Sequence, residues 1–299
     1  MVVICRVLKV SRSAYYQWRN REPPKASQRQ AMLVDEINNV RSQPKQSCYG
    51  SPRVHKALLR KGIHCCVNTV AKIMKAAGIS ARRKARFRVT TTDSKHDDPI
   101  APNLLNQEFH VDQVNHVWLT DFTYIPTSEG FTYLCAVEDL ASRKIVGWAT
   151  SRHIDTALAL AALNQAIAFR NPRAGLIVHS DRGSQYASAA FRERLSECEI
   201  MPSMSAKGNC YDNAPMESFF KSYKIEEVYL HDYETHEEAT RAAAEYIDGF
   251  YNAERLHSSL GYCSPMEYET SILKNQTNGN LAAAEASVDH SPGTGGQRC

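Results

Sequence analysis

Three acidic residues stand in sequence contexts that are otherwise apolar or that begin a helix. Asp121 interrupts the strand-like segment WLTDFTYI, Asp181 ends the short apolar segment LIVHSD, and Glu217 lies near the start of the helix-like segment NAPMESFFKSYK. An acid among apolar strand residues is costly unless a cation or hydrogen bonds compensate its charge. Each acid also has an ordinary interpretation, as a turn cap at a strand edge, a helix cap and a solvated helix residue. Taken singly, none of them identifies a site.

Taken together, the three acids predict a metal site with phosphoryl-transfer chemistry. Two strand-borne Asp and one helix-borne Glu can converge on one edge of a sheet, and ligand-binding residues of open α/β sheets lie beyond the carboxyl ends of the strands. Three carboxylates with few other ligands suit Mg²⁺ or Mn²⁺. Two such ions, about 3.5–4 Å apart, can clamp the attacking and leaving oxygens of an in-line displacement.

Two lysines follow Glu217 on the same predicted helix. Lys224 lies seven residues, or two helical turns, after Glu217 and therefore on the same face. There it could meet a phosphate beside the reacting end of DNA. Lys221 shares that face and is the second candidate, although a solvated lysine explains it equally well.

The elements that must position these residues follow from residue periodicity. HVWLTDFTYIP, GFTYLCAVEDL and KIVGWATS are rich in β-branched and aromatic residues and are separated by short turn-like segments, which predicts three antiparallel strands. An Ala/Leu-rich helix over 155–169, a buried strand over 176–181 and helices over 187–198 and 214–224 come next. The order is β-β-β-α-β-α with a helical C-terminal part, an α/β architecture.

The N-terminal third is predicted to be helical. Its breaks at Gly50, Gly62 and Gly78, with Asn68 as the cap of the last helix, are the pattern of a helix-turn-helix module, and a plain helical bundle is the alternative. The predicted domains are an N-terminal helical segment (1–27), a helix-turn-helix-like DNA-binding domain (28–90), a linker (91–112), a catalytic domain (113–274) and a disordered tail (275–299).

The net charge of +4 hides a strong asymmetry. Residues 1–112 contain 21 Lys and Arg against 8 Asp and Glu, or +13, whereas residues 113–299 contain 15 against 24, or −9. A basic front half favours contact with a polyanion over a merely solvated basic face. Within it the segment ARRKARFR supplies the candidate DNA-contacting residues Arg82, Arg83, Lys84 and Arg86.

Composition excludes several classes of protein. Nine scattered cysteines without a CxxC pair argue against a disulfide framework and against a structural zinc site, including one at His64, Cys65 and Cys66. No apolar run approaches the ~18 residues that span a bilayer. The N-terminus lacks the basic-then-apolar order of a signal peptide, so we expect a cytoplasmic protein.

Several long segments resemble one family. WLTDFTYI, HSDRGSQY and GNCYDNAPMESFFKSYK are similar to the three signature blocks of OrfB-type, integrase-like insertion-sequence transposases (insertion-sequence family three), and 35 residues separate Asp181 from Glu217. NAERLHSSLGYCSPMEY, at 252–268, resembles a further block of the family, and QSCYGSPRVHKALLRKGIHCCVNTVAKIMKAAGI resembles its helix-turn-helix segment. The resemblance spans roughly residues 4–270.

The resemblance implies both a fold and an activity. The fold is RNase H-like (integrase-type), with a mixed five-stranded sheet, flanking helices and an N-terminal all-α helix-turn-helix domain. The activity is metal-dependent cleavage of a DNA 3′ end and strand transfer of an insertion sequence, with Asp121, Asp181 and Glu217 as catalytic residues and ligands of Mg²⁺ or Mn²⁺, two ions being expected. Expected partners are the terminal inverted repeats and target DNA, the upstream reading-frame product (OrfA) or a fusion with it, and further copies of the chain on DNA.

Other polar residues of these blocks are not expected to bind metal. His179 and Asp139 are interpreted as non-ligands, and Asp212 as a residue that orders the loop before the catalytic helix. His257, Ser258 and Ser259 receive no role. Two rival functions are a nuclease of the same fold that only hydrolyses nucleic acid, and an inactive or repurposed transposase that only binds DNA.

Overall fold

The computed structural model describes residues 2–81, 98–206 and 210–288, with the side chains of 2, 210, 211 and 277–288 left undescribed. The chain divides into two compact units, Met1–Arg82 and Arg83–Cys299, and each is described by itself. Arg82, Arg83, Lys84 and Arg86 lie outside the described residues. No described helix combines the length and the apolar character that crossing a membrane requires.

The N-terminal unit is all helical. Its helices are α1 (Val2–Val7), α2 (Arg12–Arg19), α3 (Lys25–Ser42), α4 (Ser51–Arg60) and α5 (Val67–Ala76). Helices α3, α4 and α5 pack together through a small apolar core. That core consists of Leu33, Ile37, Val40, Val54, Leu58, Val70, Ile73 and Met74. The helix-turn-helix arrangement is therefore confirmed.

The start of α5 differs from the sequence expectation. We predicted Asn68 as its N-cap, but the helix begins at Val67 and Cys66 is the N-cap residue. The turn before it is held from two sides, because Arg29 donates to the His64 carbonyl oxygen at 2.8 Å and a ring nitrogen of His55 lies 2.9 Å from the Cys65 carbonyl oxygen. The Cys66 carbonyl oxygen accepts from the backbone N–H groups of Thr69 (3.0 Å) and Val70 (3.2 Å), so the helix begins two residues earlier than an Asn68 cap would give.

The second unit is built on a mixed five-stranded sheet, as the family resemblance implied. Its strands are β1 (Val117–Thr127), β2 (Gly130–Asp139), β3 (Ile145–Ser151), β4 (Ile177–Ser180) and β5 (Met201–Met204). Their order across the sheet is β3-β2-β1-β4-β5. The first three strands form an antiparallel meander, whereas β4 and β5 run parallel to β1. Residue periodicity revealed the first four strands, but β5 escaped it because its MPSM sequence is too short to show alternation.

Helices cover this sheet. They are α6 (Thr156–Arg170), α7 (Ser184–Ala187), α8 (Ala189–Glu197), α9 (Ala214–Glu226) and α10 (His236–Ala244). Gly147 on β3 lets α6 approach closely, since a Cβ there would lie 2.4 Å from the Ala162 carbonyl oxygen. Because the Ala side chains of α6 are small, the backbone of the helix lies close to the backbone of β3. Trp118 and Val178 belong to the same core.

The chain continues beyond α10 as a π-helix (Glu245–Tyr251) and ends in α11 (Pro265–Val288). We predicted disorder from residue 275, and the helical backbone through Val288 corrects that prediction for 275–288. The segment LAAAEAS contains strong helix formers, so extending α11 is favoured even without an apolar face. Residues 289–299 lie outside the described part.

The described part of the predicted linker, 98–112, contains neither helix nor strand. Its middle is attached to the sheet unit: the backbone N–H of Leu104 donates to the Ser203 hydroxyl on β5 at 2.9 Å, and Leu105 is buried. These contacts cover the outer strand of the sheet.

Candidate active site

Asp121 lies on β1, and Asp181 lies just beyond the end of β4, the parallel strand next to it. β1 carries Asp121 at its centre, half-buried, and Asp181 directly follows β4. The parallel register pairs Leu119 with His179, so two residues further along each strand bring the two aspartates side by side. Neighbouring strands are about 4.8 Å apart, which places both carboxylates at one end of β4.

The Asp181 side chain is oriented by the turn that follows it. The backbone N–H of Gly183 donates to Oδ1 of Asp181 at 2.9 Å. A Cβ at Gly183 would lie 2.7 Å from Oε1 of Gln185 and 3.1 Å from the same Asp181 oxygen, so a larger residue there would displace the Gln185 side chain and press on the aspartate. The sequence RGSQY after the aspartate is therefore part of the site.

Glu217 projects from the first turn of α9 and is exposed. Pro215 lies in the first turn, where its missing N–H costs nothing. Asn213 precedes the helix and its Nδ2 donates to the carbonyl oxygen of Thr120 at 3.4 Å. Because Thr120 is the neighbour of Asp121, this contact attaches the start of α9 directly to the strand that carries the first aspartate.

The three acids interact electrostatically. The pKa of Asp121 is raised well above its ordinary value, first by burial and then by the negative charges of Asp181 and Glu217. The backbone N–H of Phe122 and the charge of Lys224 act in the opposite direction. The fold thus brings the charges of Asp181 and Glu217 close enough to Asp121 to act on it.

Lys224 approaches the same acid from the next turns of α9. Its Nζ lies 3.9 Å from the centre of the Tyr124 ring, a cation–π contact three residues along β1 from Asp121. Burial lowers the pKa of Lys224, and the Asp121 charge raises it in part. Lys221 is exposed on the same helix. Sequence reasoning missed Tyr124, although its position inside WLTDFTYI was a signal.

The donor set fits a hard divalent cation. Mg²⁺ is commonly held by one or two carboxylates and retains several water ligands, and Asp121 beside Asp181 supplies such a pair, with Glu217 close enough to act on the Asp121 charge. Within the described ranges, no three His, Cys, Asp or Glu side chains already converge as a complete ligand set.

Both ring nitrogens of His179, two residues before Asp181, contact serine hydroxyls of the protein. It is fully buried, and its two ring nitrogens hydrogen bond with the hydroxyls of Ser203 (2.8 Å) and Ser205 (3.2 Å). Burial lowers the pKa of His179 to about 4, against a smaller opposing effect of Asp212. A neutral imidazole therefore joins β4 to β5.

Asp212 and Asp139 are buried acids that accept hydrogen bonds inside loops. Asp212 accepts from three donors, which ties the loop before α9 to the 98–112 segment. The donors are Nδ2 of Asn103, Nε2 of Gln107 and the backbone N–H of Ala206. Asp139 accepts from the backbone N–H groups of Asn115 and Ser142 and closes the β2–β3 turn. Both carboxylates have their donors within the protein.

The C-terminal block NAERLHSSLGYCSPMEY, at 252–268, contains a histidine that contacts two hydroxyl groups. His257 Nδ1 lies 2.9 Å from the Ser259 hydroxyl, and His257 Nε2 lies 3.3 Å from the Tyr251 hydroxyl. Ser258 begins a short 3₁₀ helix, Ser258–Leu260. These contacts shape the turn after the π-helix.

In the N-terminal unit, α5 presents one polar face. Val70, Ile73 and Met74 are buried. On the opposite side the exposed residues are Asn68, Thr69, Lys72 and Lys75. No acid occurs in α5. A helix with this surface can enter the major groove of DNA, where Asn, Thr and Lys read base edges and Lys also meets phosphates.

Comparison with known proteins agrees with this organisation. Residues 111–210 and 217–273 match two profiles that are both described as Integrase core domain, and residues 27–87 match the HTH-like domain.

Curated relatives cover most of the chain. A 31 kDa protein of insertion element IS600 from Shigella sonnei is 40% identical over 89% of this chain and 97% of its own length. The transposase of insertion sequence element IS904 from Lactococcus lactis is 40% identical over 84% and 98%. Transposase InsF of IS3A from Escherichia coli is 36% identical over 90% and 94%.

A solved structure is also similar. The catalytic core domain of BIV integrase aligns with 55% of this chain and 99% of its own length, at 16% identity and a TM-score of 0.41. That score is too low to support a conclusion.

Proposed function

Because this chain belongs to the IS3 family of insertion-sequence transposases, we propose that Asp121, Asp181 and Glu217 are the catalytic and metal-binding residues of its reaction. The chain is a DNA-binding enzyme of DNA transposition and integration with an integrase core domain. Its reaction is then cleavage at a DNA 3′ end and transfer of that end to a second phosphodiester.

One observation carries the assignment. Asp121 lies beside Asp181 on parallel strands, and both Asp181 and Glu217 raise its pKa through their charge. Two buried aspartates, Asp139 and Asp212, accept several hydrogen bonds that hold loops together. Carboxylates whose charges raise the pKa of a neighbouring acid in this way suit a bound cation better than a purely structural role.

The integrase core family depends on divalent metal, and we propose Mg²⁺ or Mn²⁺, two ions, held by the three acids. When bound, the ions would supply positive charge that stabilises the phosphoryl group during its transfer. The protein's own contribution is position. Gly183 orients Asp181, Asn213 ties α9 to β1, and Lys224 offers a cation near Asp121 that can hold a DNA phosphate. Lys221 is a second phosphate contact.

DNA recognition is proposed to involve the N-terminal unit. The exposed face of α5 would enter the major groove, with Asn68 and Lys72 closest to base edges. Arg82, Arg83, Lys84 and Arg86 are proposed as further phosphate contacts on sequence grounds.

The expected partners remain proposals. They are the terminal inverted repeats and target DNA, the upstream OrfA product or a fusion with it, and further copies of this chain. Joining the two ends of a mobile element requires two reacting DNA ends at once, and two active sites on DNA meet that need. We expect the reaction to take place in the bacterial cytoplasm, where its DNA lies.

The test is strand transfer on labelled element-end DNA with Mn²⁺ or Mg²⁺, in the presence of the upstream product. The wild type is compared with Glu217→Gln and with Glu193→Gln, an exposed acid on α8 that serves as matched control. We expect joining by the wild type and the control, a loss of more than ~10³-fold in Glu217→Gln, and unchanged DNA binding in all three.

Two other outcomes separate the rivals. Metal-dependent hydrolysis without joining would support a nuclease. Binding of element ends without cutting or joining in either metal would support an inactive or repurposed transposase that acts as a DNA-binding protein.

A further inference from the structure

A buried acid, Glu226, lies on the side of α9 that faces away from the site. Glu226 is 4% exposed and lies about 180° around the helix from Glu217 at 100° per residue. The other buried residues of α9 are mainly large and apolar or aromatic, among them Phe219 and Tyr223. An acid in that company needs a specific partner.

That partner is Arg255, which is 1% exposed. Its Nε donates to Oε2 of Glu226 at 2.6 Å, and its Nη2 donates to Oε1 at 2.9 Å, so the guanidinium and the carboxylate meet through two parallel hydrogen bonds. Nη2 also donates to the Ser222 hydroxyl, one turn earlier on α9, at 2.9 Å. The Tyr246 hydroxyl adds a fourth bond, to Oε2 of Glu226 at 2.8 Å.

The segment that carries Arg255 is attached to the sheet through Asn252. The backbone N–H of Arg255 donates to the Phe250 carbonyl oxygen at 2.8 Å. Three residues earlier, the Asn252 side chain accepts from the N–H of Ile145 and donates to its carbonyl oxygen, each at 2.9 Å. Ile145 begins β3, in the same sheet as Asp121. A continuous set of directional contacts therefore runs from the sheet through the C-terminal block to α9.

Directional hydrogen bonds constrain the orientation of a helix in a way that apolar burial does not. The hydrophobic driving force is itself non-directional, so the orientation of a packed helix depends on how its side chains fit and on any directional bonds it forms. A bidentate ion pair fixes both rotation and axial position, while its net effect on stability is often close to that of an apolar pair.

We propose that Arg255, through Glu226, is a positioning residue that fixes the rotation of α9 and thereby the approach of Glu217 to Asp121 and Asp181. The inference rests on the proposed function in one respect, since it takes Glu217 as the third carboxylate. It gives the C-terminal block a role that its sequence alone did not reveal.

The test replaces the whole pair, so that no buried charge is left alone. Arg255→Met/Glu226→Leu is compared with the wild type, with Glu217→Gln and with Arg170→Met/Glu269→Gln. The last variant removes the ion pair of Arg170 with Glu269, which joins α6 to α11 and does not touch α9. Lys144, which also pairs with Glu269, keeps an amide oxygen as its acceptor in this variant. Three quantities are measured on the full chain: Tm, kcat and KM for strand transfer on element-end DNA, and the Kd for Mn²⁺ by electron paramagnetic resonance.

We expect the Arg255/Glu226 double variant to fold, to keep KM for DNA within ~twofold, and to lose about 10–100-fold in kcat and in Mn²⁺ affinity. The Arg170/Glu269 control should change Tm without changing Mn²⁺ affinity. Arg255→Lys, which retains the charge but loses the fork, should fall between the wild type and the double variant, and it decides the matter if the double variant does not fold.

Wild-type kcat and Mn²⁺ affinity in the double variant would overturn the inference, and so would equal losses in the control. If the wild type joins no DNA, the proposed function fails, and Mn²⁺ affinity alone still decides whether Arg255 positions Glu217.

Discussion

In the N-terminal unit the charged side chains of α5 and of the Lys61–Glu36 pair lie at or near the surface, whereas the second unit buries several charged side chains. Lys72 and Lys75 are exposed on α5, and the Lys61–Glu36 pair (3.5 Å) involves side chains that are 47% and 30% exposed. In the second unit, by contrast, Glu138, Glu226 and Arg255 are each at most 4% exposed.

The difference sets how each unit responds to the loss of a charge. Exposed charges are screened by salt and contribute small, separable amounts to DNA binding. Buried charges interact strongly with one another and with the protein, so the loss of one changes position, protonation or stability. Loss of an exposed charge in the first unit should therefore have a graded effect, and loss of a buried charge in the second unit a severe one.

The largest effect is expected for Asp121→Asn. Strand transfer should fall by more than ~10³-fold, because one carboxylate of the site is gone. In metal-free buffer at neutral pH the same variant should be more stable than the wild type, with Tm higher by roughly 2–4 °C for each kcal/mol recovered. The reason is the raised pKa of Asp121: wild-type stability declines as pH rises from the ordinary Asp value through the raised one, and the neutral amide escapes that decline.

Thermal denaturation in EDTA, with and without added Mn²⁺, measures this prediction. Mn²⁺ should stabilise the wild type more than the variant. A variant that is less stable than the wild type in EDTA would show that the Asp121 charge is compensated by the protein after all.

Next in size is the pH dependence due to Glu138. Burial raises its pKa from 4.5 to about 7, against the opposing effect of Arg143 at 3.4 Å. The free energy of unfolding therefore has its full contribution from Glu138 below pH 4.5. It falls by about 3 kcal/mol as pH rises from 4.5 to about 7. Glu138→Gln should remove this loss, so the Tm difference between variant and wild type should grow from pH 5 to pH 8. An equal difference at both pH values would contradict it.

A smaller effect is expected on the exposed face of α5. Lys72→Ala should weaken binding to element-end DNA and reduce the slope of log K against log salt by about 0.9 if Lys72 contacts one phosphate. Lys25→Ala, which removes an exposed lysine in the first turn of α3, is the charge-matched control. Fluorescence anisotropy across a salt series measures both. Identical slopes for the two variants would mean that α5 is not the DNA-binding face.

The smallest effect is expected for the exposed Lys61–Glu36 pair. Glu36→Gln should change the free energy of unfolding by less than about 1 kcal/mol, because solvent screens the pair and its side chains lose entropy on pairing. Urea denaturation measures the change. A cost comparable with that of a buried pair would remove the contrast between the two units.

Much of the fold could be predicted from local pattern. The strands around WLTDFTYI and LIVHSD and the helices α6 and α9 were recognisable because their apolar residues recur at the strand or helix period. The three acids were recognisable because each sits where an apolar pattern breaks or a helix begins. Their joint role stays a prediction until the variants are measured.

Other features could not be predicted locally. β5 has four residues, and its place beside β4 depends on pairing rather than on its own sequence. Composition favoured disorder from residue 275, whereas α11 continues to Val288. The N-cap of α5 is Cys66 rather than Asn68, and side chains distant in sequence, Arg29 and His55, contact the turn before it.

The sequence by itself determined which residues are acidic, which segments alternate and where the basic half ends, because these properties depend on a residue and its near neighbours. Only the tertiary structure decided that Asp121 and Asp181 lie side by side, that Lys224 rests on Tyr124 and that Arg255 binds Glu226 across 29 positions. Those pairings draw their energy from partners far apart in the chain. They form only when a complete sheet and its helices exclude water and bring the groups together.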